Sequence, residues 1–345
     1  QTERVAQHRR IYWIGNPHVY VRDLQAPSVV MRSVTAGWLN AATNHATVNW
    51  WAGDNFGEDG MRANTIWVGG LHKWAAQAVQ GDRSATVDLT GVPDGAQTVL
   101  VDVAGDGTGS GQAADTIYVD RTAPQATTPD AQPTVTPGTA AVTWQTADAT
   151  SGVLQSQLEV NTASDGTLTG AWTPVGPAIG GGGAHSTALN LSTFRDGLHA
   201  IRVRATDHAG NVAVSPPSRV VVDTAPPTIT LGPTPTAPVR AVAVEFTVAD
   251  NLAAHWGLGA TRIDANTAPD GSPNGAWMAL RPAEVLSVGH HRFVLPLTGL
   301  SDGLHLIRVA TTNGGPHAGL VGVDTFAVTV DQTSPTVTDV TFTQV

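Results

Sequence analysis

Asp196-Gly197-Leu198-His199-Ala200-Ile201-Arg202-Val203-Arg204-Ala205-Thr206-Asp207-His208-Ala209-Gly210-Asn211 is followed by Arg219 to Val222 and then by Asp223-Thr224-Ala225-Pro226. An Asp-Gly turn opens a run in which apolar and polar residues alternate, the pattern of a half-buried strand. A loop, a second strand and an Asp/Thr/Ala/Pro junction close the unit. The chain states this unit three times. A weaker copy runs from Pro93-Asp94-Gly95 through Gln97 to Val103 and on to Asp120-Arg121-Thr122-Ala123-Pro124. A third starts at Asp302-Gly303 and reaches Asp331-Gln332-Thr333-Ser334-Pro335.

Working outward, Ser28 to Val34, Ala46 to Trp51, Thr65 to Val68, Ala140 to Trp144, Leu154 to Val160 and Ala241 to Val248 also read as strands, bounded by Gly, Asn and Pro. Gly180 to Gly183 reads as a flexible connection, and no helical period is sustained anywhere. Pro27, Pro124, Pro226 and Pro335 mark a period of about 100 residues, the size of one antiparallel β-sandwich. The expected fold is therefore all-β: three tandem antiparallel Ig-like sandwiches in an elongated rod, over residues 27–121, 122–223 and 224–331. Residues 1–26 form an extension containing an orphan strand, and 332–345 a second orphan strand.

His199-Ala200-Ile201-Arg202-Val203-Arg204-Ala205, Asp207 with Gly210-Asn211, and the Val-Asp-Thr-Ala-Pro junction resemble the tandem immunoglobulin-like and fibronectin type III-like repeats of bacterial secreted and cell-surface proteins. The resemblance covers residues 27 to 331. It implies a location outside the cell and a role as stalk, adhesin repeat, fibre subunit or accessory module of a secreted hydrolase.

Composition excludes several classes. There is no cysteine, hence no disulfide framework, thiolate metal site or cysteine nucleophile. A net charge of -10 without a basic stripe argues against a nucleic-acid partner. No apolar run reaches the length of a membrane span. Charged residues make up 13% of the chain, and Lys73 is the only lysine, so lysines that blunt sheet edges are missing. The start at Gln1, without a signal-peptide pattern, suits a mature secreted product or a piece of a longer array.

The recurrent polar residues have structural readings. Gln97, His199 and His305 hold the same register in the three units, at the place where related sandwiches put a tyrosine that bonds back to the preceding corner. They are expected to make that corner bond. His290 and His291, adjacent in a strand, point to opposite faces and cannot chelate together. The Gly105 to Gly111 run leads into a strand rather than a helix, so it is a loop and not a phosphate cradle. No catalytic residue is assigned, no Gly-x-Ser-x-Gly elbow exists, and the chain is expected not to be an enzyme.

No cofactor is expected. The one metal kept in view is calcium, for which Asp102, Asp106 and Asp115 surround one loop while Asp207 and Asn211 sit in another. Calcium takes six to eight oxygens, and these loops offer few carboxylates. Among ten tryptophans, Trp74, Trp172 and Trp277 recur at related places and read as packing contacts.

The ends are unbalanced. Val19-Tyr20-Val21 reads as the last strand of a preceding unit. Val337, Val340, Phe342 and Val345 give residues 332–345 the character of a first strand with no sandwich behind it. Unpaired strands are templates for edge addition, and head-to-tail contacts that do not close build filaments. The expected function is a surface filament or fibre subunit that assembles with copies of itself by terminal strand exchange. The alternatives are a stalk or adhesin segment that does not polymerise, or a carbohydrate-binding accessory region, with cell-surface glycans or proteins as partners.

Overall fold

A computed structural model describes residues 4–5, 9–12, 19–21, 23–106, 109–133, 138–336 and 338. Among the described residues strands dominate, and the regular helix is limited to single turns such as Ala253–Trp256. The dominance of strands follows from the sequence, where β-branched and aromatic residues alternate with polar ones and Gly or Pro punctuates the runs.

Three separate cores form, each between two sheets. In the first, the strands Ser28–Val34, His45–Gly53 and Gly81–Asp88 make one sheet. The facing sheet is ordered Trp38–Leu39, Ser110–Val119, Gly95–Gly105, Met61–Val68, Leu71–Gln77. Its pairs are antiparallel except that of Trp38–Leu39 with Ser110–Val119, which is parallel. Val48 and Trp50 meet Ile66, Val99, Val101 and Ile117 between the two sheets. Because side chains alternate along a strand, Trp50 is fully buried while its neighbour Trp51 stays half-buried.

The second core repeats the plan. Thr139–Ala147 pairs with Gln125–Ala126, Asp130–Pro133 and Gly183–Asn190. Val153–Asn161 and Gly197–Asp207 are the centre of the opposite sheet, with Ser218–Val222 on its edge. In the third, Ala241–Ala249 lies between Thr228–Leu231 and Gly289–Pro296, facing Leu258–Asn266, Gly303–Asn313 and Val321–Val330. Ile201 with Val203, and Ile307 with Val309, are fully buried at matching register. Full burial of a Val or Ile side chain contributes roughly 1.5–3 kcal/mol, so the alternating residues of these central strands anchor their cores.

The glycines of the Asp-Gly turns are required by conformation. Gly95, Gly197 and Gly303 sit at φ of 106°, 145° and 142°, which L side chains rarely adopt. A Cβ on Gly197 would fall 2.2 Å from the carbonyl oxygen of Ser164, and one on Gly303 would fall 2.5 Å from that of Pro269.

Several expectations need amending. Gly180 and Gly183 are not a free connection: Ile179–Gly180 and Gly183–Asn190 are both strands, because the small residues there permit edge pairing on either side of a two-residue turn. Val19–Val21 is not a lone strand either. It is the third member of a small antiparallel sheet with Arg4–Val5 and Arg9–Tyr12, so one of its edges is already paired within the extension. Val337, Val340, Phe342 and Val345 lie outside the described residues.

Candidate functional site

The turn that opens each repeated unit also grips the chain that leaves it. Asp94 Oδ2 accepts hydrogen bonds from the Arg121 N–H at 3.0 Å and the Thr122 hydroxyl at 3.1 Å. Asp196 Oδ1 accepts from the N–H and hydroxyl of Thr224 at 2.9 and 2.7 Å. Asp302 does the same for the Gln332 N–H and the Thr333 hydroxyl. The Thr333 hydroxyl, and then the Gln332 N–H, hold the Asp302 carboxyl below the ordinary aspartate range. In the first sandwich Arg121 adds a guanidinium that pairs with Asp94 at 2.8 Å and donates to the carbonyls of Val92 and Leu89.

The expected corner residues sit behind these turns. His199 is fully buried, its Nδ1 2.9 Å from the Asn161 carbonyl oxygen and its Nε2 2.7 Å from that of Arg195. His305 repeats this geometry with Asn266 at 2.8 Å and Ser301 at 2.9 Å. Gln97 is half-buried, and its Nε2 makes one long bond of 3.4 Å to the Asp94 carbonyl. The amide thus ties a looser corner than the imidazoles do.

One residue past the closing strand comes an aspartate that reaches the next sandwich. Asp120 is fully buried: its Oδ1 accepts from the Thr122 N–H and its Oδ2 from the Ser151 N–H, both at 3.0 Å. Ser151 belongs to the second sandwich. So does Asp148, which directly follows the strand Thr139–Ala147 and accepts the N–H groups of Thr150 and Gly152. Asp207, the last residue of its strand and also fully buried, accepts the N–H and Nδ2 of Asn211. One carboxylate oxygen each from Asp120, Asp148 and Asp207 lies within 4.8 Å of the others. Two unit charges at such a separation repel by roughly 3 kcal/mol at an effective dielectric of about 20, which the N–H donors offset in part. Asn211 Nδ2 then crosses back to the Asp120 carbonyl at 2.9 Å, and Asn40 Nδ2 donates to the Ala209 carbonyl at 2.8 Å.

The second joint is built at the same register with different chemistry. Asp223 stands where Asp120 does, Asp250 follows its strand as Asp148 does, and Asn313 replaces Asp207. Asn313 Nδ2 donates to Asp223 Oδ2 at 2.8 Å and lies 3.2 Å from the Ala225 carbonyl. Asn251 Nδ2 adds a bond to Asp196 Oδ2 at 3.1 Å. Burial pushes the Asp223 carboxyl up, and the negative charges of Asp250 and Asp196 push it further.

Of the two oxygen sets expected from sequence, Asp207 with Asn211 lies at the first joint, whereas Asp102, Asp106 and Asp115 are each engaged separately. Asp102 is taken up by the Gln112 amide at 2.8 Å, Asp106 by Arg62 at 2.6 Å, and Asp115 by the Thr116 N–H. Among the described residues the acidic groups that converge are Asp120, Asp148 and Asp207, of which only Asp207 had been singled out. The missed signal is an Asp directly after the central strand of the first sheet of every unit, at 54, 148 and 250, combined with the Asp before every junction.

The remaining candidates are dispersed. His290 is exposed, whereas His291 Nε2 donates to the Ser287 carbonyl at 2.8 Å. Trp74 packs edge-on against Trp50, and the guanidinium groups of Arg202 and Arg308 cover Trp172 and Trp277 at 4.0 and 4.2 Å. No helix among the described residues is long and apolar enough to cross a membrane.

The fold and its joints define a tandem array of immunoglobulin-like and fibronectin III-like sandwiches. No known protein family matches the sequence. No curated protein matches it either. Solved structures do resemble it. A tetra-tandem repeat in the extending region of a large adhesion protein is 18% identical, with a TM-score of 0.32 over 88% of this chain and 74% of that one. The FN1–FN3 domains of chicken CNTN1 are 10% identical, with a TM-score of 0.28 over 88% and 98% of the two chains. The fibronectin(III)-like modules of Clostridium thermocellum CbhA are 14% identical, with a TM-score of 0.26 over 56% and 93%.

Proposed function

We propose that this chain is an extracellular structural protein, a spacer in which successive sandwiches are held in fixed succession to set a distance at a cell surface. The observation that carries this reading is the joint itself. Side chains of one sandwich bond the linker that arrives from its neighbour at two successive junctions, Asn211 to the Asp120 carbonyl, and Asn313 to the Asp223 carboxylate and the Ala225 carbonyl. A catalytic chain has no need to repeat such a device, whereas a spacer needs it at every step. The resemblance of the repeated unit to secreted and cell-surface arrays supports the location. Solution scattering of the intact chain tests the reading, because flexibly linked sandwiches would sample bent as well as extended arrangements.

The finer form of the proposal is a filament subunit that joins copies of itself head to tail. What favours it is the last junction. Asp302 grips Gln332 and Thr333 as Asp94 and Asp196 grip their linkers, so the segment that follows leaves the third sandwich as the earlier linkers leave theirs. The segment 332–345, with Val337, Val340, Phe342 and Val345, would then be the strand donated to a neighbour, and the Val19-Tyr20-Val21 edge a surface that meets it. Negative-stain images of the purified chain should show linear oligomers that vanish when residues 332–345 are deleted. Monomers alone, unchanged by the deletion, would leave the spacer reading standing and remove the filament.

A further inference from the structure

The two joints are acidic, and the buried His317 near Asp223 is the titratable cation whose charge is felt at the second. Among the described residues no ion pair involves Asp120, Asp148, Asp207, Asp223 or Asp250. Unpaired buried carboxylates are costly, and proteins normally pair them or place a metal ion among them. At the first joint the arrangement is already convergent, with three carboxylate oxygens within 4.8 Å of one another. The N–H groups that fix them occupy one lone pair of each oxygen they reach, and a carboxylate offers about four. The set therefore has capacity left on the side where the three groups meet.

The second joint supplies an independent sign. Asp223 and Asn313 are each only 1% exposed, yet Asp223 Oδ1 and Asn313 Oδ1 meet no donor, and neither does the buried Oδ2 of Asp250. These are the three positions that converge at the first joint, now with an amide in the place of Asp207. Buried oxygens in native proteins are nearly always satisfied, and an unsatisfied set at one place points to a missing ion or water. The buried His317, whose ring nitrogens also lack partners, is the one titratable cation whose charge acts on Asp223, and the three oxygens outnumber it.

We propose that each joint seats a hard divalent cation of the calcium type, held by Asp120, Asp148 and Asp207 at the first and by Asp223, Asp250 and Asn313 at the second. The donor set is entirely oxygen, which suits calcium and not the softer metals that select thiolate or imidazole. Bidentate carboxylates, a linker carbonyl and water complete six to eight ligands. In both sites one ligand comes from the linker of the preceding sandwich and two from the head of the next, so a bound cation locks the pair. The head of the first sandwich has a partial version: Asp23 and Asp54 each keep a buried oxygen without a donor, but Gly105 stands at the third position. This inference deepens the spacer reading and fails separately from it, since a joint can hold by its direct hydrogen bonds alone.

The test uses the full chain, stripped with a chelator and titrated calorimetrically with calcium chloride. Asp148→Asn and Asp250→Asn keep the side-chain carbonyl that caps each loop while removing charge, and Asp102→Asn serves as the control outside the joints. Two sites per chain are expected, with dissociation constants on the order of 0.1–1 mM as in extracellular modules. Each joint variant should weaken one site at least about tenfold, a loss of the size seen when ligation is disturbed, and leave the other intact. Melting temperature should rise with calcium in the native chain and in the control. Circular dichroism of the chelated variants establishes that they fold. Absence of binding up to about ten times that range, or binding lost in Asp102→Asn and kept in both joint variants, would overturn the assignment.

Discussion

Asn211 Nδ2 donates to the carbonyl oxygen of Asp120 at 2.9 Å, across a separation of 91 residues and across the boundary between two sandwiches. The same amide reaches Asp207 Oδ2 at 2.9 Å, and its backbone N–H donates to Asp207 Oδ1. One side chain therefore binds the linker to the loop that receives it.

Replacing Asn211 with Ala should loosen this joint and spare the cores. The bonds it loses are partly buried, so the cost expected in the coupled unfolding of the first two sandwiches is about 1–2 kcal/mol. Calorimetry should show the melting transitions of the two sandwiches separating, with the core strands still protected from hydrogen exchange. Transitions that stay superimposed would mean that Asn211 is incidental to the coupling.

His199→Ala should be far more damaging, at about 2–4 kcal/mol, because it opens a cavity and removes the ring N–H that bonds the corner formed by the Asn161 and Arg195 carbonyls. His305→Ala should match it in the third sandwich. His199→Gln should be milder, since Gln97 fills the same register of the first sandwich with a single 3.4 Å bond. Urea unfolding of the three variants checks the order, and equal losses for Ala and Gln would deny the corner role.

Trp172 and Trp277 should prove to be packing partners of arginine. Arg202 lies 4.0 Å over Trp172 while pairing with Glu159, and Arg308 lies 4.2 Å over Trp277 while pairing with Asp264. Trp172→Ala should cost about 1–2 kcal/mol from the stacked cation, and it should leave any glycan binding unchanged. Loss of a glycan signal on an array would instead place these rings in a carbohydrate site.

Acid should release the last linker. Asp302 is held below its ordinary value by the Thr333 hydroxyl and the Gln332 N–H, with Arg240 adding a smaller pull. A depressed carboxyl contributes stability that is present above its unfolded value near 3.9 and is lost as pH falls through the folded value. The amide resonances of Gln332 and Thr333 should shift cooperatively in that acid window, and Asp302→Asn should abolish the step. A step that survives the substitution would assign the titration elsewhere.

The cores were legible in the sequence because a half-buried strand writes its burial as alternation. Ser28–Val34 appears with the bounds read from sequence, and Ala241–Ala249 differs by one residue. Leu71–Gln77 was not legible, since its residues are exposed or half-buried and follow no two-residue rhythm. Nor was Trp38–Leu39, whose two residues gain their meaning only from parallel pairing with a strand at the far end of the unit. The joints were harder still. Asp120 and Asp148 lie 28 positions apart, and each looks like an ordinary turn residue until the fold sets them around Asp207. Register between repeats could show that these aspartates recur, but only the meeting of two sandwiches shows that they converge.

Small-angle scattering of the intact chain tests the central claim most directly, that ordered joints hold the sandwiches as a spacer. Three sandwiches with strands of 7 to 10 residues, placed end to end, predict a length on the order of 100 Å and a radius of gyration of about 30 Å with a single extended distance distribution. A radius near the roughly 20 Å of one compact body of this size, or a distribution broadened by freely hinged sandwiches, would contradict it.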